Sequence, residues 1–499
     1  MSSQPDNPTS PAPPTRGQAI HAVRWTLAGN IGQRVLAFGA VAVLARLLSE
    51  TEFGAYRQLL AVHLVLFVLL PLGFDQLYIR EVRHRRKFAA LLAGTLTLTA
   101  TVTAVVAWAG HWTFARWMDF GPWSHLLWGF PAVVALQSAK LVYKTDLAAR
   151  LAYRPISLGE MLYAGVTGGA GVALALVWPV AASLYVAYGL AELIEWWWLR
   201  RAASRLPGTR HSVFHLRSVA RAVRLLLLRG WRWRRFALFH CGNQGLNALG
   251  GNAPVIIFGS ALSKAAAASF SMANWLVTIP IYILIGALHR VAFSALAGRD
   301  RAGLASPVLQ MLQLAAAFIV PVLIVVVVMA EPLIEVVLGT RWVDSTAPVA
   351  RYLSLYCIFS ALFSPVSSLD ILLDRPDYGF YWNVLATFVR IVAVLAGLQY
   401  GVMEAVIAYA VASAALWLLW GAMLAQLLGA GQWVFHRAWL AFVPLWVAYA
   451  GGLWAVLMLA GHPWAQLILC AVPSLAYAAL LRFFAPDVFR QGLQLVRRG

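Results

Sequence analysis

Apolar stretches of about 20 residues, each closed by a polar turn, recur along this chain and predict an all-α polytopic membrane protein. The predicted spans lie at 24–47, 57–80, 88–110, 126–149, 156–178, 181–199, 235–259, 266–289, 305–330, 347–370, 378–400, 403–427, 438–460 and 463–482, fourteen in all. Only a Trp178-Pro179 turn separates the fifth from the sixth. An even number of spans puts both termini on one side. The expected divisions are a disordered tail (1–20), an N-lobe of six spans (21–200), a basic linker (201–234), a C-lobe of six spans (235–427), two further spans (428–482) and a C-terminal tail (483–499). The first fifteen residues hold five prolines and no apolar block, so they read as a disordered tail rather than a secretory signal.

The pattern repeats internally. "LSETEFGAYR" follows the first span from Leu48 and "LSKAAAASFS" follows the seventh from Leu262, an offset of 214 residues that pairs Tyr56 with Phe270. Arg154-Pro155 and Arg375-Pro376, after the fourth and tenth spans, are related by an offset of 221. Six spans are an even number, so the two copies enter the membrane in the same direction, about an axis along its normal. Two such lobes around a central cavity predict a transporter that rocks between them.

Polar positions inside the spans nominate the cavity. Thr26, Asn30, Gln33 and Arg34 form a stripe on the first span. A charge at mid-span costs about 2.5–3.5 kcal/mol even on gentle insertion scales, so that face should meet water or protein. His240, Asn243, Gln244 and Asn247 share a face of the seventh span ahead of Gly250, Gly251 and Pro254, and Ser271, Asn274 and Thr278 line the eighth. Gln137, Lys140 and Lys144 run along the fourth span with Asp146 at its end; Asn383, Thr387 and Arg390 run along the eleventh. Arg34, Lys140 and Arg390 come out nearest mid-depth, while Arg57, Asp75, Arg290 and Asp370 sit nearer the ends. For each charge the competing reading is structural: a buried pair that orients helices, or a long side chain snorkelling to the surface. Central cations in excess of central carboxylates imply an anionic passenger, and phosphate suits an arginine fork. Asp75, Glu160, Glu192 and Glu195 are placed toward the cytoplasmic side as latches or coupling sites; Arg46, Tyr56, Asp146 and Asp370 are further gating or coupling candidates.

Composition agrees with the pattern: 61% of the 499 residues are hydrophobic and the mean hydropathy is +0.73. The net charge of +20 would suggest nucleic acid in a soluble chain. Here most Lys and Arg fall on the side of the termini, with only Arg116, Lys264 and Arg341 in opposite loops, which predicts cytoplasmic termini. "REVRHRRK" after the second span and the Arg-rich stretch from Arg200 to Arg235 are the densest blocks. Arg217, Arg221 and Arg224 at helical spacing allow an amphipathic surface helix, against the plainer reading of a basic loop. Cys241, Cys357 and Cys470 lie in apolar segments and support neither a disulfide scaffold nor a metal cluster.

"LARLLSETEFGAYRQLLAV" from Leu44, "PLGFDQLYIREV" from Pro71 and "VLGTRWVDSTAPVARYLSL" from Val337 resemble the Wzx-type polysaccharide flippases of the multidrug/oligosaccharidyl-lipid/polysaccharide exporter superfamily. Ser49 stands where that family more often has glycine, and Ala268, Ser269 and Phe270 replace Gly-x-Tyr in the second copy. The resemblance implies a two-lobed bundle with two peripheral C-terminal helices and a cavity lined by spans 1, 2, 7 and 8. It implies that undecaprenyl-diphosphate-linked oligosaccharide is flipped from the cytoplasmic to the periplasmic leaflet of the bacterial inner membrane. Carried over by position, it supports Arg34, Arg57, His240, Asn243, Asn247, Asn274 and Arg290, and gives less support to Lys140 and Arg390. It implies no cofactor, leaves open proton coupling, sodium coupling or dependence on membrane potential, and fits a monomer working with membrane lipids and a polysaccharide polymerase and export machinery. A lipid II flippase is the nearest rival. A multidrug exporter would want central carboxylates, and a membrane glycosyltransferase or polymerase would want an acid/base pair beside a large aqueous surface. Nucleic acid is not expected as a partner, because topology already accounts for the basic loops.

Overall fold

In the computed structural model, residues 16–71, 75, 78–79, 85–206, 216–296, 304–366, 376–429 and 431–491 are described, and every regular element among them is helical. They form two compact units, Met1–Leu48 with Leu59–Ala248, and Ser49–Gln58 with Leu249–Gly499.

The first unit begins with α1 (Arg16–Leu47), which lies along α6 (Tyr153–Val177). Small residues make this close approach possible. A Cβ on Gly29 would lie 2.6 Å from Ser157 Cβ, and one on Gly168 would lie 2.5 Å from Ala40 Cβ. Between them come α2 (Glu50–Leu69), α3 (Arg85–Ala109), the short α4 (His111–Trp117), a 3-10 segment (Gly121–Gly129) and α5 (Phe130–Ala149). The Trp178-Pro179 turn ends α6, Val180 is extended, and α7 (Ala181–Ser204) packs against both α5 and α6. α8 (Leu216–Ala261) starts in this unit and ends in the other.

The second unit holds the end of α8, α9 (Lys264–Leu296), α10 (Ala305–Phe318), α11 (Val320–Val328), α12 (Ala330–Val337), α13 (Val343–Phe363), α14 (Pro376–Leu398) and α15 (Val402–Leu427). The helices α16 (Gln432–Leu440), α17 (Val443–Leu459), α18 (Pro463–Leu469) and α19 (Ala471–Phe484) follow. Edge-on aromatic contacts link Phe258, Phe270, Tyr409 and Tyr356, with ring centroids 5.3, 5.6 and 5.6 Å apart along the chain of four. Pro321 has no N–H to give to the Ala317 carbonyl four residues back. Tyr477 O–H donates to that oxygen at 3.0 Å and Trp446 Nε1 donates to the Ala316 carbonyl at 3.0 Å, fastening the last helices to α10.

Several boundaries differ from those expected. The second helix runs from Glu50 to Leu69 rather than over 57–80, because Pro71 and Gly73 follow at once. Prolines also divide the ninth, thirteenth and fourteenth predicted spans into two helices each, at Pro321, Pro444 and Pro473. The basic stretch from Leu216 is continuous helix with the seventh span: α8 has 46 residues, about 69 Å at 1.5 Å each, twice the bilayer core. Eleven helices among the described residues are long and apolar enough to cross a membrane. The sixth, seventh and eighth predicted spans, on α7, α8 and α9, fall outside that set, and α7 carries Glu192 and Glu195 within its apolar stretch.

Candidate functional site

In the first unit the chemistry gathers where α5 meets α7. Lys140, ten residues into α5, points its ammonium at two carboxylates one helical turn apart on α7, Glu192 Oε2 at 2.5 Å and Glu195 Oε2 at 2.8 Å. All three residues are buried, at 7, 2 and 2% exposure. Gln137, one turn earlier on α5, donates from Nε2 to Tyr188 Oη at 2.6 Å and makes a long contact with Glu192 Oε1 at 3.4 Å. Its Oε1 is buried without a partner. The Tyr163 ring centroid on α6 lies 5.0 Å from Lys140 Nζ and that of Phe67 on α2 lies 6.0 Å away, both within cation–π range. Next along α5, Lys144 pairs with Glu160 at 2.8 Å, and Asp146 accepts from Tyr78 O–H at 2.5 Å and from Arg150 Nε at 3.3 Å.

Lys140 was expected as a ligand for an anion, with Glu192 and Glu195 nearer the cytoplasmic rim. The helices instead bring the three together, because α5 and α7 are packed neighbours and the lysine reaches the glutamates across their contact. An anion arriving there would meet a group whose formal charge is −1 rather than a bare ammonium. Asp146 and Glu160 are likewise engaged in pairs within this unit.

Also in the first unit, Asn30 is exposed and Gln33 and Arg34 are half-buried. The glycine face of α1 takes Gly29 and Gly32 against α6, and helical spacing puts Asn30 and Arg34 on the flank turned away from that contact. Arg46 is exposed in the last turn of α1, and Asp75 is half-buried. On α8, Asn243 is half-buried while Gln244 and Asn247 are exposed. The side chains of His240 and Arg290 and the whole of Asp370 lie outside the described residues.

In the second unit the opening turns of α2 are clasped by α8 and α9. Arg57 Nε donates to Ser271 Oγ, and Gln58 Nε2 donates to Ser260 Oγ at 2.8 Å and to the Ile256 carbonyl at 3.2 Å. Any Cβ on Gly54 would collide with the Lys264 carbonyl. Tyr56 is buried and meets Phe53 edge-on, and Phe53 meets Trp342 in the same way at 6.1 Å. Asn274 is half-buried on α9. Arg390 and Thr387 of α14 lie against Gly250 of α8, where a Cβ would come 3.0 Å from Thr387 Oγ1 and 3.7 Å from Arg390 Nη1. Arg390 Nε is buried without a hydrogen-bond partner. Neither Arg57 nor Arg390 forms an ion pair among the described residues, whereas Lys140, Lys144 and Arg150 all do.

Sequence reasoning missed Gln58 and His63. His63 is fully buried in α2, with Nε2 2.9 Å from Tyr185 Oη and its ring stacked 4.1 Å from Phe130. Its one signal was a lone histidine in an apolar run. Gln58, beside the nominated Arg57, carries no signal in the sequence beyond one amide near a span end.

The profile of the family described as Polysaccharide biosynthesis protein matches residues 43–347. The chain is 24% identical over 392 residues to the succinoglycan biosynthesis transport protein ExoT of Rhizobium meliloti, covering 77% of this chain and 74% of that one. It is 27% identical over 150 residues to the teichuronic acid biosynthesis protein TuaB of Bacillus subtilis, a match spanning 30% of this chain and only 31% of the relative. Among solved structures it is similar to the lipid II flippase MurJ in an inward closed conformation, with a TM-score of 0.75 at 12% identity over 93% of this chain and 99% of that one. It is also similar to an inward-facing multidrug resistance MATE family transporter of the MOP superfamily, with a TM-score of 0.57 at 15% identity over 82% and 95% of the two chains. These likenesses establish an all-α, multi-pass, MATE-like fold. With the family profile across more than half of its length, the chain belongs to the polysaccharide biosynthesis protein family.

Proposed function

We propose that this protein moves polyprenyl-diphosphate-linked oligosaccharide repeat units from the cytoplasmic to the periplasmic leaflet of the bacterial inner membrane by alternating access, for exopolysaccharide, capsule or O-antigen synthesis. The observation that carries the anionic substrate is the contrast between paired and unpaired cations. Arg57 and Arg390 have no carboxylate partner among the described residues, while the lysines of α5 are neutralised. A guanidinium held in apolar surroundings without a counter-ion favours an arriving phosphate through charge-assisted hydrogen bonds. To Arg57 and Arg390 we add Arg34, with Asn30, Gln33, Asn243, Gln244, Asn247 and Asn274 as donors to diphosphate and sugar, and His240 and Arg290 from the sequence alone.

In this reading the chain crosses the membrane fourteen times, in two six-helix halves plus two C-terminal spans, with both termini in the cytoplasm. The hydrogen bond between Arg57 and Ser271 supports the repeat, because these residues are themselves 214 positions apart, the interval between the two Leu-Ser motifs. Residues equivalent under a two-fold axis meet when they lie beside it. The likeness to MurJ is one of fold and supports lipid II as a second passenger class, since it too hangs a headgroup on a polyprenyl diphosphate.

The test is movement of a fluorescent lipid-linked oligosaccharide in vesicles containing the purified protein. Arg34→Ala should lose most of the transport while still inserting, and Arg34→Lys should restore part of it. Unchanged transport in the alanine variant removes Arg34 from the site. Rescue of a cell depleted of its lipid II flippase would assign the second passenger class instead.

A further inference from the structure

We propose that the exposed face of α7 binds an anionic glycerophospholipid, with an acyl chain along Leu190 and Leu193 and the phosphate on Arg200 and Arg201. The inference goes beyond the transport reading and takes from it only the leaflet: with cytoplasmic termini, the C-terminal end of α7 meets the cytoplasmic one.

Val186, Leu190, Leu193, Trp197, Arg201 and Ser204 follow one another in steps of three or four residues, so they share one side of the helix. All of them are exposed. The opposite side is the packed one: Glu192, Glu195, Leu199 and Ala203 are buried, the last two in a core cluster with Leu147 and Ile156. From Val186 to Trp197 the helix rises about 16 Å, half of a hydrocarbon core of about 30 Å, which is the depth that the chains of one leaflet fill.

The stripe ends in charge. Arg200 reaches back over the Trp196 ring, its Cζ 5.3 Å from the centroid, and Arg201 does the same over Trp197 at 5.4 Å. Side chains on a helix lean toward its N-terminus, so both guanidiniums are turned toward the apolar part of the stripe. A cation placed only to balance the helix dipole, or to snorkel into water, would point the other way, past the last carbonyls. Ser204 O–H, rather than an arginine, donates to the Arg201 carbonyl, at 2.9 Å.

Nor are these two pairs packing devices. Arg154 lies over Trp25 at 5.2 Å and so ties α6 to α1. Each pair on α7 instead joins positions one turn apart on a single helix, and the contact fastens no second one. An arginine resting on an indole face spends no N–H donor on a partner. Among the described residues neither Arg200 nor Arg201 forms an ion pair, and the carboxylates of α7 are turned to Lys140 on the buried side.

The occupant these features fit is an anion that carries its own apolar tail. Its phosphate takes charge-assisted hydrogen bonds from the two guanidiniums. Trp196 and Trp197 lie at the level where polar head meets chain, the depth that indoles prefer. A free phosphate would leave the apolar stripe uncovered, and phosphatidylcholine would bring a second cation up to the arginines.

Native mass spectrometry of the full chain, released from micelles holding equal amounts of palmitoyl-oleoyl phosphatidylglycerol and phosphatidylcholine, tests the site. It needs no passenger lipid and no sidedness, so its outcome is separate from the transport reading and from orientation. The wild type should retain phosphatidylglycerol in preference to phosphatidylcholine. Arg200→Gln combined with Arg201→Gln should weaken that retention by about fivefold for each arginine. Arg437→Gln combined with Arg482→Gln, which removes two exposed arginines of the second unit, should leave it unchanged. Thermal unfolding verifies that each variant is folded. A wild type without the preference overturns the proposal, as does an equal loss from both double variants, which would make the attraction a diffuse one to any basic surface. Phosphatidylglycerol with a diazirine in its acyl chain should label residues 181–204 on illumination more than the phosphatidylcholine analogue does; equal labelling, or label confined to other helices, overturns it too. Displacement by sodium phosphate but not by sodium chloride of equal ionic strength would make this a site for a free anion and likewise overturns it.

Discussion

At the scale of single residues, the distinction that matters is between charges that have found partners and charges that have not. Lys140 shows what the first condition costs to undo. Lys140→Met would strand two carboxylates in a dry contact between α5 and α7, and removing one side of a buried pair typically costs about 3–5 kcal/mol. Denaturant unfolding in detergent should show a loss of that order at pH 8, and a smaller one at low pH, where the stranded carboxylates take up protons. An equal loss at both would mean that packing of the lysine stem, rather than charge, is what the variant removes. The sequence revealed that Gln137, Lys140 and Lys144 share one stripe, because helical spacing is a local property. It did not reveal that Glu192 and Glu195 close on Lys140, because that depends on which helix lies beside α5, and hydropathy carries no information about neighbours. His63 was invisible for the same reason: Tyr185 and Phe130 come from α7 and the start of α5.

At the scale of elements, apolar length located each predicted span on a helix, whereas proline decided the ends that length could not. The second span was set too late because Leu-rich sequence continues through Leu70 and Leu72, yet Pro71 and Gly73 close the helix at Leu69. Its true start lies in the polar turns beginning at Glu50, where Gly54 lets the backbone of α2 press against the Lys264 carbonyl. Gly54→Ala should therefore force α2 away from α9 and lower stability by about 1–3 kcal/mol, as overpacking does elsewhere. Gly39→Ala, where a Cβ meets nothing within 4 Å, is the control and should be neutral or slightly stabilising. Thermal unfolding of the two purified variants checks the contrast; equal melting temperatures would show that the α2 contact yields without strain.

At the scale of the whole molecule, the excess of Lys and Arg on one side predicts orientation, and α8 offers a place to measure it. Arg224 is exposed in the part of α8 that precedes the apolar segment. A cysteine at position 224, in a chain whose three native cysteines have been replaced by alanine, should react with a membrane-impermeant maleimide in inverted vesicles and resist it in intact cells. Labelling in intact cells would reverse the assignment. The all-α, multi-pass fold was readable because apolar stretches of spanning length survive any rearrangement of loops; the extent of α8 was not, because the nineteen residues before position 235, six of them arginine, look the same as loop or as helix.

The border between the two compact units does not fall in a connecting loop. It passes between Gln58 and Leu59 in the middle of α2 and between Ala248 and Leu249 within α8, so both crossings are made by unbroken helix. A bend at either crossing would then flex a rod rather than unfold a joint. Just past the border α8 carries Gly250, Gly251 and Pro254, residues that soften a helix without severing it. Any bend in α8 would therefore concentrate at these three residues.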